Sequence, residues 1–372
     1  MMIAGEVSGD MRAGEVARVL HESAPEIEMT GVGGESMTAA GVECFANITE
    51  LAVIGFSDVI KNYGRIKKVF NLILSEVDRR KPDAVMLVDY PGFNLRLARK
   101  LKDRNIKVIY YISPQIWAWR ENRIKLIKKV VDKMLVLFSF EQSFYKKHNM
   151  DVDYVGHPLV DQVKVSEKPE SVLQKLGLKT NLPVVGLLPG SREKEITRHL
   201  PVMVKAAELL YQADNQRQFI MLKAPTVDER FIRSLTDTAA CPIRIVEQHG
   251  YNEFNALSAC MIASGTATLE AAILKKPMVI VYKTSWLTYT IVKFFIKIPH
   301  VGLANIVAGH EVVPELIQSK ATPQNIAQKM EKLLTDHKAT QRIHKEFSKF
   351  SVWLGEPGAS QRAAKIIVKE LS

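Results

Sequence analysis

The chain has 372 residues, of which 47% are hydrophobic and 24% are charged. This composition excludes a mainly disordered or low-complexity chain, and the length and apolar content are sufficient for two domains with buried cores. The 51 basic and 40 acidic residues give a net charge of +11, which favours polyanionic partners such as nucleic acid, an anionic membrane face or phosphate-bearing substrates.

Short apolar runs recur along the chain and predict β-strands. Runs that are apolar on both faces are typical of parallel strands covered by helices. They occupy residues 85–88, 108–112, 135–138, 184–188, 219–222, 243–246, 261–263 and 278–282. Amphipathic helical stretches alternate with them, for example residues 196–210 and the stretch that begins with Thr322-Pro323. This alternation predicts an α/β fold with doubly wound sheets.

Each half of the chain has its own strand–helix series, which predicts two Rossmann-like domains that face a cleft. We expect the first domain over residues 1–165 and the second over residues 166–349, with the boundary near Gly156-His157-Pro158 or in the polar stretch after it. The last helix, within residues 350–372, is expected to pack back on the first domain. Because ligands of open α/β sheets bind beyond the carboxyl ends of the strands, the segments that follow the strands are the candidate sites.

The first such segment covers residues 4–10, Ala-Gly-Glu-Val-Ser-Gly-Asp. Gly5 and Gly9 permit a tight turn and a close backbone approach to a ligand, and the helix that follows supplies free N–H groups for an anion. The spacing is not that of a dinucleotide-binding G-x-G-x-x-G loop. The alternative is a simple helix start capped by Ser8 or Asp10.

The second segment follows the strand at residues 85–88 and reads Asp89-Tyr90-Pro91-Gly92-Phe93-Asn94. Asp89 lies where the strand passes into a loop, and an ionised carboxylate there can accept a proton from an incoming hydroxyl. The alternative is turn chemistry, because aspartate and Pro-Gly form turns without any ligand.

Two of the four tryptophans, Trp117 and Trp119, lie in the segment after the next strand, residues 113–120. Aromatic side chains with a polar tip are suited to contact with a sugar or an acyl chain. The alternative is packing, with one tryptophan in the core and the other at its rim.

Two turns in the second half have the features of phosphate sites. Gly190-Ser191-Arg192 joins a strand to a helix, and glycine, a helix N-terminus and arginine together are suited to an anion. No Gly-Lys-Ser/Thr follows, so this turn is not a P-loop. Residues 264–270 also join a strand to a helix, and Glu270 lies one turn into that helix, where a carboxylate can accept from two ribose hydroxyls. The alternative for Glu270 is a capping role at the start of its helix.

Two basic amphipathic stretches are compatible either with ordinary surface helices or with contact to anionic lipid. In the first, residues 61–77, lysines and an arginine crowd the start of an apolar stripe that ends at Val77. The second, residues 286–298, has Lys293 and Lys297 among aromatic and aliphatic residues. Neither reaches the roughly 20 apolar residues that a membrane-spanning helix needs.

The three cysteines form neither a zinc-binding spacing nor a disulfide framework, which favours a reducing compartment. No signal peptide is evident at the start of the sequence. We therefore expect a cytoplasmic protein that at most lies on a membrane surface. No paired-carboxylate motif accompanies the phosphate-type turns, so neither a metal nor another cofactor is expected.

Together these motifs resemble, nearly end to end, the lipid-A-disaccharide synthases, which are glycosyltransferases of family 19 with a GT-B fold. The resemblance is carried by residues 4–10, 31–34, 50–55, 89–94, 113–120, 156–158, 188–192, 264–270, Asn305 and residues 312–316. Gly92 is a departure, because members of the family often have a second aspartate there, so no role of that carboxylate applies to this chain.

The resemblance implies a specific hexosyl transfer. UDP-2,3-diacylglucosamine donates its sugar to the 6-hydroxyl of 2,3-diacylglucosamine 1-phosphate, with inversion at the anomeric carbon, release of UDP and no divalent metal. The implied partners are therefore an acylated UDP-sugar donor, an acylated sugar phosphate acceptor and the anionic surface on the inner face of the bacterial inner membrane. The sequence leaves a homodimer open.

The resemblance also assigns roles to residues. Asp89 is the expected general base, with Glu6 as the second candidate. Nucleotide-binding roles are implied for Gly190, Ser191, Arg192, Ser264, Gly265, Thr266 and Glu270. Positions on the acceptor side or elsewhere in the cleft are implied for Ser8, Gly9, Ser113, Trp117 and Asn305.

Two other functions compete with this one. Another GT-B UDP-N-acetylglucosamine transferase or epimerase would have the same fold, but residues 4–10 and Trp117-Ala118-Trp119 argue against it. A nucleic-acid-binding protein is supported only by the net charge, and no aromatic-basic readout motif is present, so no nucleic-acid partner is expected.

Overall fold

The computed structural model describes residues 1–48, 63–285 and 298–372. The chain divides into two compact units, one formed by Met1–Pro158 with Leu354–Ser372 and the other by Leu159–Trp353. Each unit contains one parallel sheet and its flanking helices. The α/β class expected from the alternating apolar runs is confirmed. Residues 50–55, Lys61 and nearly all of residues 286–298 lie outside the described residues.

The sheet of the first unit has seven strands in the order β3-β2-β1-β4-β5-β6-β7. The strands are β1 (Met2–Ala4), β2 (Thr30–Gly33), β3 (Glu43–Asn47), β4 (Ala84–Val88), β5 (Lys107–Tyr111), β6 (Lys133–Val136) and β7 (Asp153–Tyr154). The helices between them are α1 (Val7–Ser23), α2 (Glu35–Ala39), α3 (Tyr63–Arg80), α4 (Pro91–Lys102), α5 (Ile124–Val130) and α6 (Ser139–Lys147). A 3₁₀ turn, Glu121–Arg123, precedes α5.

The strand order of this sheet brings two distant segments of the chain together. β1 pairs in parallel with both β2 and β4, and Ala4 lies opposite Val88 in the register. The order of the strands therefore reverses at β1 and β4, which is where doubly wound sheets form their ligand-binding crevice. As a result, the turn after Ala4 and the turn after Val88 leave the sheet side by side.

The apolar stripe of α3 faces the core of the first unit. Val69, Ile73 and Val77 are buried there, whereas Lys67 and Lys68 are exposed. This is the pattern of an amphipathic surface helix, with the basic side chains left in solvent.

The sheet of the second unit has six strands in the order β10-β9-β8-β11-β12-β13. The strands are β8 (Val184–Leu188), β9 (Gln218–Lys223), β10 (Ile243–Glu247), β11 (Ala259–Ala263), β12 (Met278–Tyr282) and β13 (Glu315–Ile317). The helices up to the end of the sheet are α7 (Leu159–Gln162), α8 (Pro169–Lys175), α9 (Glu193–Ala213), α10 (Glu229–Thr236), α11 (Asn252–Asn255), α12 (Ala267–Ile273) and α13 (Leu303–Ala308).

The order reverses here between β8 and β11, which pair in parallel with Ile262 opposite Leu188. The two phosphate-type turns of the sequence follow these two strands. They therefore leave the second sheet next to each other, in the same topological position as the two turns of the first unit.

Four helices complete the chain: α14 (Pro323–Thr335), α15 (His337–Phe347), α16 (Phe350–Leu354) and α17 (Ala359–Leu371). α14 begins with the predicted cap, because the Thr322 side chain accepts a hydrogen bond from the Asn325 N–H at 3.2 Å. α17 belongs to the first unit and contacts α1. Its Glu370 carboxylate pairs with both Lys107 and Lys133, each at 3.3 Å. Among the helices of the described ranges, none is long and apolar enough to cross a bilayer.

Candidate functional site

Asp89 is held in a strained backbone conformation at the carboxyl end of β4. Asp89 and Tyr90 are consecutive non-glycine residues with positive φ angles, 46° and 44°. Such residues cost roughly 1–3 kcal/mol each and persist only where neighbours fix them. Here the Asp89 carbonyl oxygen accepts from the Tyr110 hydroxyl at 2.6 Å and from the Asn94 side chain at 2.8 Å. These hydrogen bonds therefore fix the backbone conformation of the turn, and this conformation sets the direction of the Asp89 carboxyl group.

The Asp89 carboxyl is half-buried and easily protonated. Burial, and then the negative charge of Glu6, raises its pKa from 3.8 to about 6, against a smaller opposing effect of a hydrogen bond from the Tyr90 backbone. A carboxylate with this pKa is ionised at neutral pH and is a stronger base than an ordinary aspartate. The structure thus brings both carboxylates singled out by the sequence, Asp89 and Glu6, into one electrostatic environment.

Gly5 allows the two turns of this unit to approach each other closely. A Cβ atom on Gly5 would lie 2.4 Å from the Tyr90 ring, so no larger residue fits without moving the residue next to Asp89. A Cβ on Gly9 would lie 3.7 Å from its nearest neighbours, in ordinary van der Waals contact. Gly5 is thus required by packing, whereas Gly9 is not.

The proposed capping of α1 by Ser8 or Asp10 is wrong. Glu6 is the N-cap of α1 and makes no side-chain capping bond, and Ser8 is exposed within the first turn. The buried Asp10 carboxylate instead accepts from the backbone N–H groups of Gly34 at 2.6 Å and Ser36 at 3.0 Å. Asp10 therefore caps α2 from a different helix, because the strand order places the start of α2 beside α1.

The segment after β5 is fixed by a buried carboxylate that the sequence analysis did not single out. Glu141, at the start of α6, is fully buried and accepts from the Trp117 indole N–H at 3.2 Å and from the backbone N–H of Phe138 at 3.1 Å. Burial raises the pKa of Glu141 to about 7. Ser113 is also buried and bonds the Tyr145 hydroxyl at 2.7 Å. Ser113 and Trp117 are thus tied to α6.

The two tryptophans of this segment have different environments. Trp117 is half-buried and packs edge-on against Phe140, with ring centroids 5.0 Å apart. Trp119 is 41% exposed, and the Arg120 guanidinium lies 4.5 Å from its ring centroid. One ring is thus partly buried and the other lies at the surface.

In the second unit, Gly190 is required by the conformation of the turn after β8. Its φ of 119° is rarely adopted by other residues, and a Cβ would lie 2.7 Å from a Glu195 carboxylate oxygen. Ser191 is exposed, and Arg192, the N-cap of the long helix α9, pairs with Glu195 at 2.9 Å. An exposed ion pair is worth at most about 1 kcal/mol, so a phosphate can exchange for this carboxylate at little cost.

A buried histidine, His199, also holds this turn in place, and it was not identified from the sequence. The backbone N–H of Lys283 donates to Nε2 of His199 at 3.0 Å, so Nδ1 carries the proton and donates to the carbonyl oxygen of Pro189 at 3.0 Å. Burial lowers the pKa of His199, which keeps it neutral. The sequence feature that could have indicated its burial is the position of His199 on the apolar stripe of α9, one turn after Ile196 and beside Leu200.

The turn after β11 is held by hydroxyl groups. Ser264 donates to the carbonyl oxygen of Val301 at 2.7 Å, and Thr268 donates to that of Gly265 at 2.8 Å. Thr266 is exposed, and the space beside Gly265 is open, since a Cβ there would meet no atom within 4 Å. Glu270 is half-buried on α12, and its N–H donates to Thr266.

Asn305 lies in the interior of the second unit rather than on its surface. Its side-chain oxygen accepts from Val312 N–H at 2.9 Å, and its amide donates to the Val313 carbonyl at 2.8 Å and to Glu315 at 2.9 Å. Glu315 also accepts from the backbone N–H of Val301, the residue that accepts from Ser264. Asn305 therefore supports the turn after β11 through this network.

No group of three or more His, Cys, Asp or Glu side chains suited to a metal ion occurs within residues 1–48, 63–285 and 298–372.

Comparisons with known proteins give one consistent result. A family model described as lipid-A-disaccharide synthetase matches residues 1–369. A lipid-A-disaccharide synthase of Syntrophus aciditrophicus is 40% identical over 365 residues, which cover 98% of this chain and 95% of that protein.

Two solved structures share the fold at low sequence identity. A UDP-GlcNAc 2-epimerase from Neisseria meningitidis, bound to UDP-GlcNAc, is 12% identical with a TM-score of 0.64, covering 99% of both chains. The calicheamicin glycosyltransferase is 17% identical with a TM-score of 0.57, covering 100% of this chain and 97% of that one. Together with the two parallel sheets, these likenesses confirm the GT-B architecture.

Proposed function

Because this chain belongs to the lipid-A-disaccharide synthetase family and is a glycosyltransferase of lipid A disaccharide synthesis, we propose that Asp89 is its general base. The sugar transferred is the diacylglucosamine of a UDP-linked donor, and the acceptor is the 6-hydroxyl of diacylglucosamine 1-phosphate. The observation that carries the assignment is the half-buried Asp89 carboxyl at the reversal of the first sheet, with its pKa raised to about 6.

The reaction needs one base and no covalent nucleophile. The acceptor oxygen attacks the anomeric carbon of the donor, the bond from that carbon to the phosphate oxygen breaks, and UDP leaves with the electron pair. The hydroxyl proton passes to Asp89 as the new bond forms, and a single displacement inverts the anomeric centre. Proton removal by a positioned base contributes roughly 10²–10⁴-fold to the rate.

Glu6 has an electrostatic role in this proposal. It is exposed at the start of α1, and its negative charge is one of the two causes that raise the pKa of Asp89. Glu6 therefore strengthens the base without itself receiving the proton.

The second unit is proposed to bind UDP through the turns after β8 and β11. These turns are neighbours, and the first leads into α9, a helix of 21 residues with free N–H groups at its start. Arg192 can exchange Glu195 for a phosphate oxygen and stabilise the leaving UDP. The UDP-GlcNAc in the Neisseria epimerase supports a UDP-sugar ligand for this architecture.

Peripheral contact with the inner face of the inner membrane completes the proposal. The substrates are acylated, and each buried CH₂ contributes about 0.8 kcal/mol to membrane affinity. Exposed Lys67, Lys68 and the 39%-exposed Leu72 on α3 supply a basic and apolar surface for such contact.

The test is a reaction with purified protein, the acylated UDP donor and the acylated sugar 1-phosphate. We expect disaccharide and UDP in equal amounts. Asp89→Asn keeps the shape of the side chain and should lower kcat by roughly 10²–10⁴-fold, with UDP affinity retained and without loss of thermal stability. A folded Asp89→Asn variant with wild-type kcat would contradict the assignment of the base. Absence of disaccharide with the wild-type protein would contradict the proposed substrates.

A further inference from the structure

An arginine-rich groove runs along α4 in the first unit, on the side that faces α3 and α5. It consists of two adjoining depressions of about 550 Å³ and 390 Å³ that share Arg96 and Arg99. The larger is also lined by Phe70 and Lys129, and the smaller by Arg123. We call the two depressions together the arginine groove. Its volume is in the range of small-molecule sites.

Most cations of the arginine groove lack a carboxylate partner. In the parts of the chain that the structure describes, Arg96, Arg99, Arg123 and Lys129 have no acidic group within the 4.0 Å of an ion pair. Two other lysines on α4 are neutralised, Lys100 by Asp103 and Lys102 by Asp132. The groove therefore has an excess of positive charge that the described residues do not balance.

The Arg123 guanidinium lies within the electrostatic range of two other arginines. Arg123 is half-buried, and burial, followed by the positive charges of Arg120 and Arg96, lowers its pKa. Bringing guanidinium groups together in a partly desolvated place is unfavourable unless an anion joins them. Planar guanidinium groups are particularly suited to phosphate, which they bind through two parallel hydrogen bonds.

The arginine groove also lies near the candidate base. Its smaller depression begins at Pro91 and Gly92, directly after Asp89 and Tyr90 in the chain. No atom lies within 4 Å of where a Cβ on Gly92 would be, so the approach on this side is open. Tyr110 lies in the electrostatic range of both Asp89 and Arg123, which places the two within one neighbourhood.

We propose that Arg96, Arg99 and Arg123 form a phosphate-binding site, and that the phosphate they hold is the monoester of the sugar-phosphate acceptor. The choice of acceptor rests on the proposed function, in which the diphosphate of the donor is bound by the second unit. A phosphate anchored in the arginine groove would hold the acceptor on the same unit as the carboxylate that deprotonates its hydroxyl. Anionic lipid headgroups carry the same phosphate chemistry and are the other source that must be distinguished.

The test compares two double variants that remove the same charge. Arg96→Gln/Arg99→Gln removes the shared arginines of the groove, both of which are exposed. Lys125→Gln/Lys128→Gln is the matched control, because both lysines are exposed on α5 and neither lines the groove. Melting temperatures establish that all proteins are folded.

Kinetics and binding give the first readout. Loss of charged hydrogen bonds in the arginine variant should raise the acceptor KM by roughly 10- to 100-fold, with kcat and the affinity for UDP close to wild type. Glucosamine 1-phosphate should bind the wild type and the lysine variant in calorimetry and bind the arginine variant more weakly by a similar factor. Equal acceptor KM and equal glucosamine 1-phosphate affinity in all three proteins would overturn the proposal.

Vesicles of phosphatidylglycerol give the second readout and identify the source of the phosphate. Similar vesicle affinity of the two variants is expected, because general attraction to an anionic surface depends on the number of charges removed. A selective loss of vesicle binding by the arginine variant, with an unchanged acceptor KM, would assign the groove to headgroups and overturn the acceptor assignment. Because glucosamine 1-phosphate binding does not require turnover, it is measurable even if Asp89→Asn proves fully active and the proposed base is wrong.

Discussion

The two sheets reverse their strand order in the same way, but the turns at the two reversals are held differently. In the first unit, the turn after β4 carries a half-buried carboxyl whose pKa is raised. Arg96 and Arg99, which pair with no acidic group among the described residues, lie on the helix that follows. In the second unit, neutral hydrogen bonds from His199 and Ser264 hold the turns after β8 and β11.

The difference indicates that the two units have different chemical roles although their sheets have the same topology. Ionisable groups that the protein leaves incompletely neutralised favour proton transfer and anion binding. A bound substrate then supplies the proton for the carboxylate or the negative charge for the arginines. In the second unit, an imidazole whose pKa is lowered by burial and a hydroxyl group keep the backbone N–H groups of the turns in place. Four experiments test this comparison.

The largest effect should appear in the pH dependence of the first unit. Only the ionised Asp89 accepts a proton, so kcat/KM should fall about tenfold per pH unit below the pKa of about 6. Glu6→Gln removes the negative charge that raises this pKa and should shift the acidic limb to lower pH. Glu22→Gln, an exposed charge at the far end of α1, is the control and should leave the limb in place. A limb that does not move with Glu6→Gln would show that the charge of Glu6 does not raise the pKa of the group that produces it.

The second effect separates two glycines of the same turn. Gly5→Ala forces a methyl group into the Tyr90 ring and should destabilise the protein by roughly 1–3 kcal/mol and lower kcat, because Tyr90 and Asp89 must move together. Gly9→Ala meets only ordinary contacts on α1 and should gain up to about 1 kcal/mol from helix propensity. Thermal unfolding and kcat measure both. Equal behaviour of the two variants would contradict the close approach of the turns.

The third effect separates conformation from ligand contact in the second unit. Gly190→Ala should cost roughly 1–3 kcal/mol of stability, since its positive φ and Glu195 leave no place for a methyl group. Gly265→Ala should keep full stability and lower only UDP affinity, because the space beside it is open and is the expected position of the nucleotide. Unfolding and UDP titration distinguish them, and wild-type UDP affinity of a stable Gly265→Ala variant would remove this turn from the site.

The smallest effect is on stability and follows from the pKa of Asp89. Because the folded pKa of about 6 lies above the ordinary 3.8, ionised Asp89 destabilises the fold, and its contribution to stability falls as the pH rises between these values. Asp89→Asn should therefore be more stable than wild type at pH 7, by at most the roughly 3 kcal/mol to which this pKa shift corresponds, and not at pH 3.5. Urea unfolding at the two pH values measures the difference. A gain that does not depend on pH would argue against the raised pKa.

Sequence reasoning could identify residues of the turns but not all of the residues that hold them. Asp89, Gly190 and the segment from Ser264 stand directly after apolar runs, so their places at strand ends were predictable. Glu141 and His199 are single polar residues within helices, and nothing local shows that they bond to loops far away in the sequence. Asp10 shows the same difficulty, because the backbone N–H groups that donate to its carboxylate lie at the start of α2.

The sequence by itself determined the class of fold, since strands that are apolar on both faces require helices on both sides of the sheet. Its motifs also determined the membership in a glycosyltransferase family. Tertiary structure alone decided that Gly5 meets Tyr90, that Glu6 raises the pKa of Asp89, and that Arg96 and Arg123 share a groove. The physical reason is that strand order and desolvation depend on packing between segments far apart in the chain, whereas periodicity and turn chemistry report only on near neighbours.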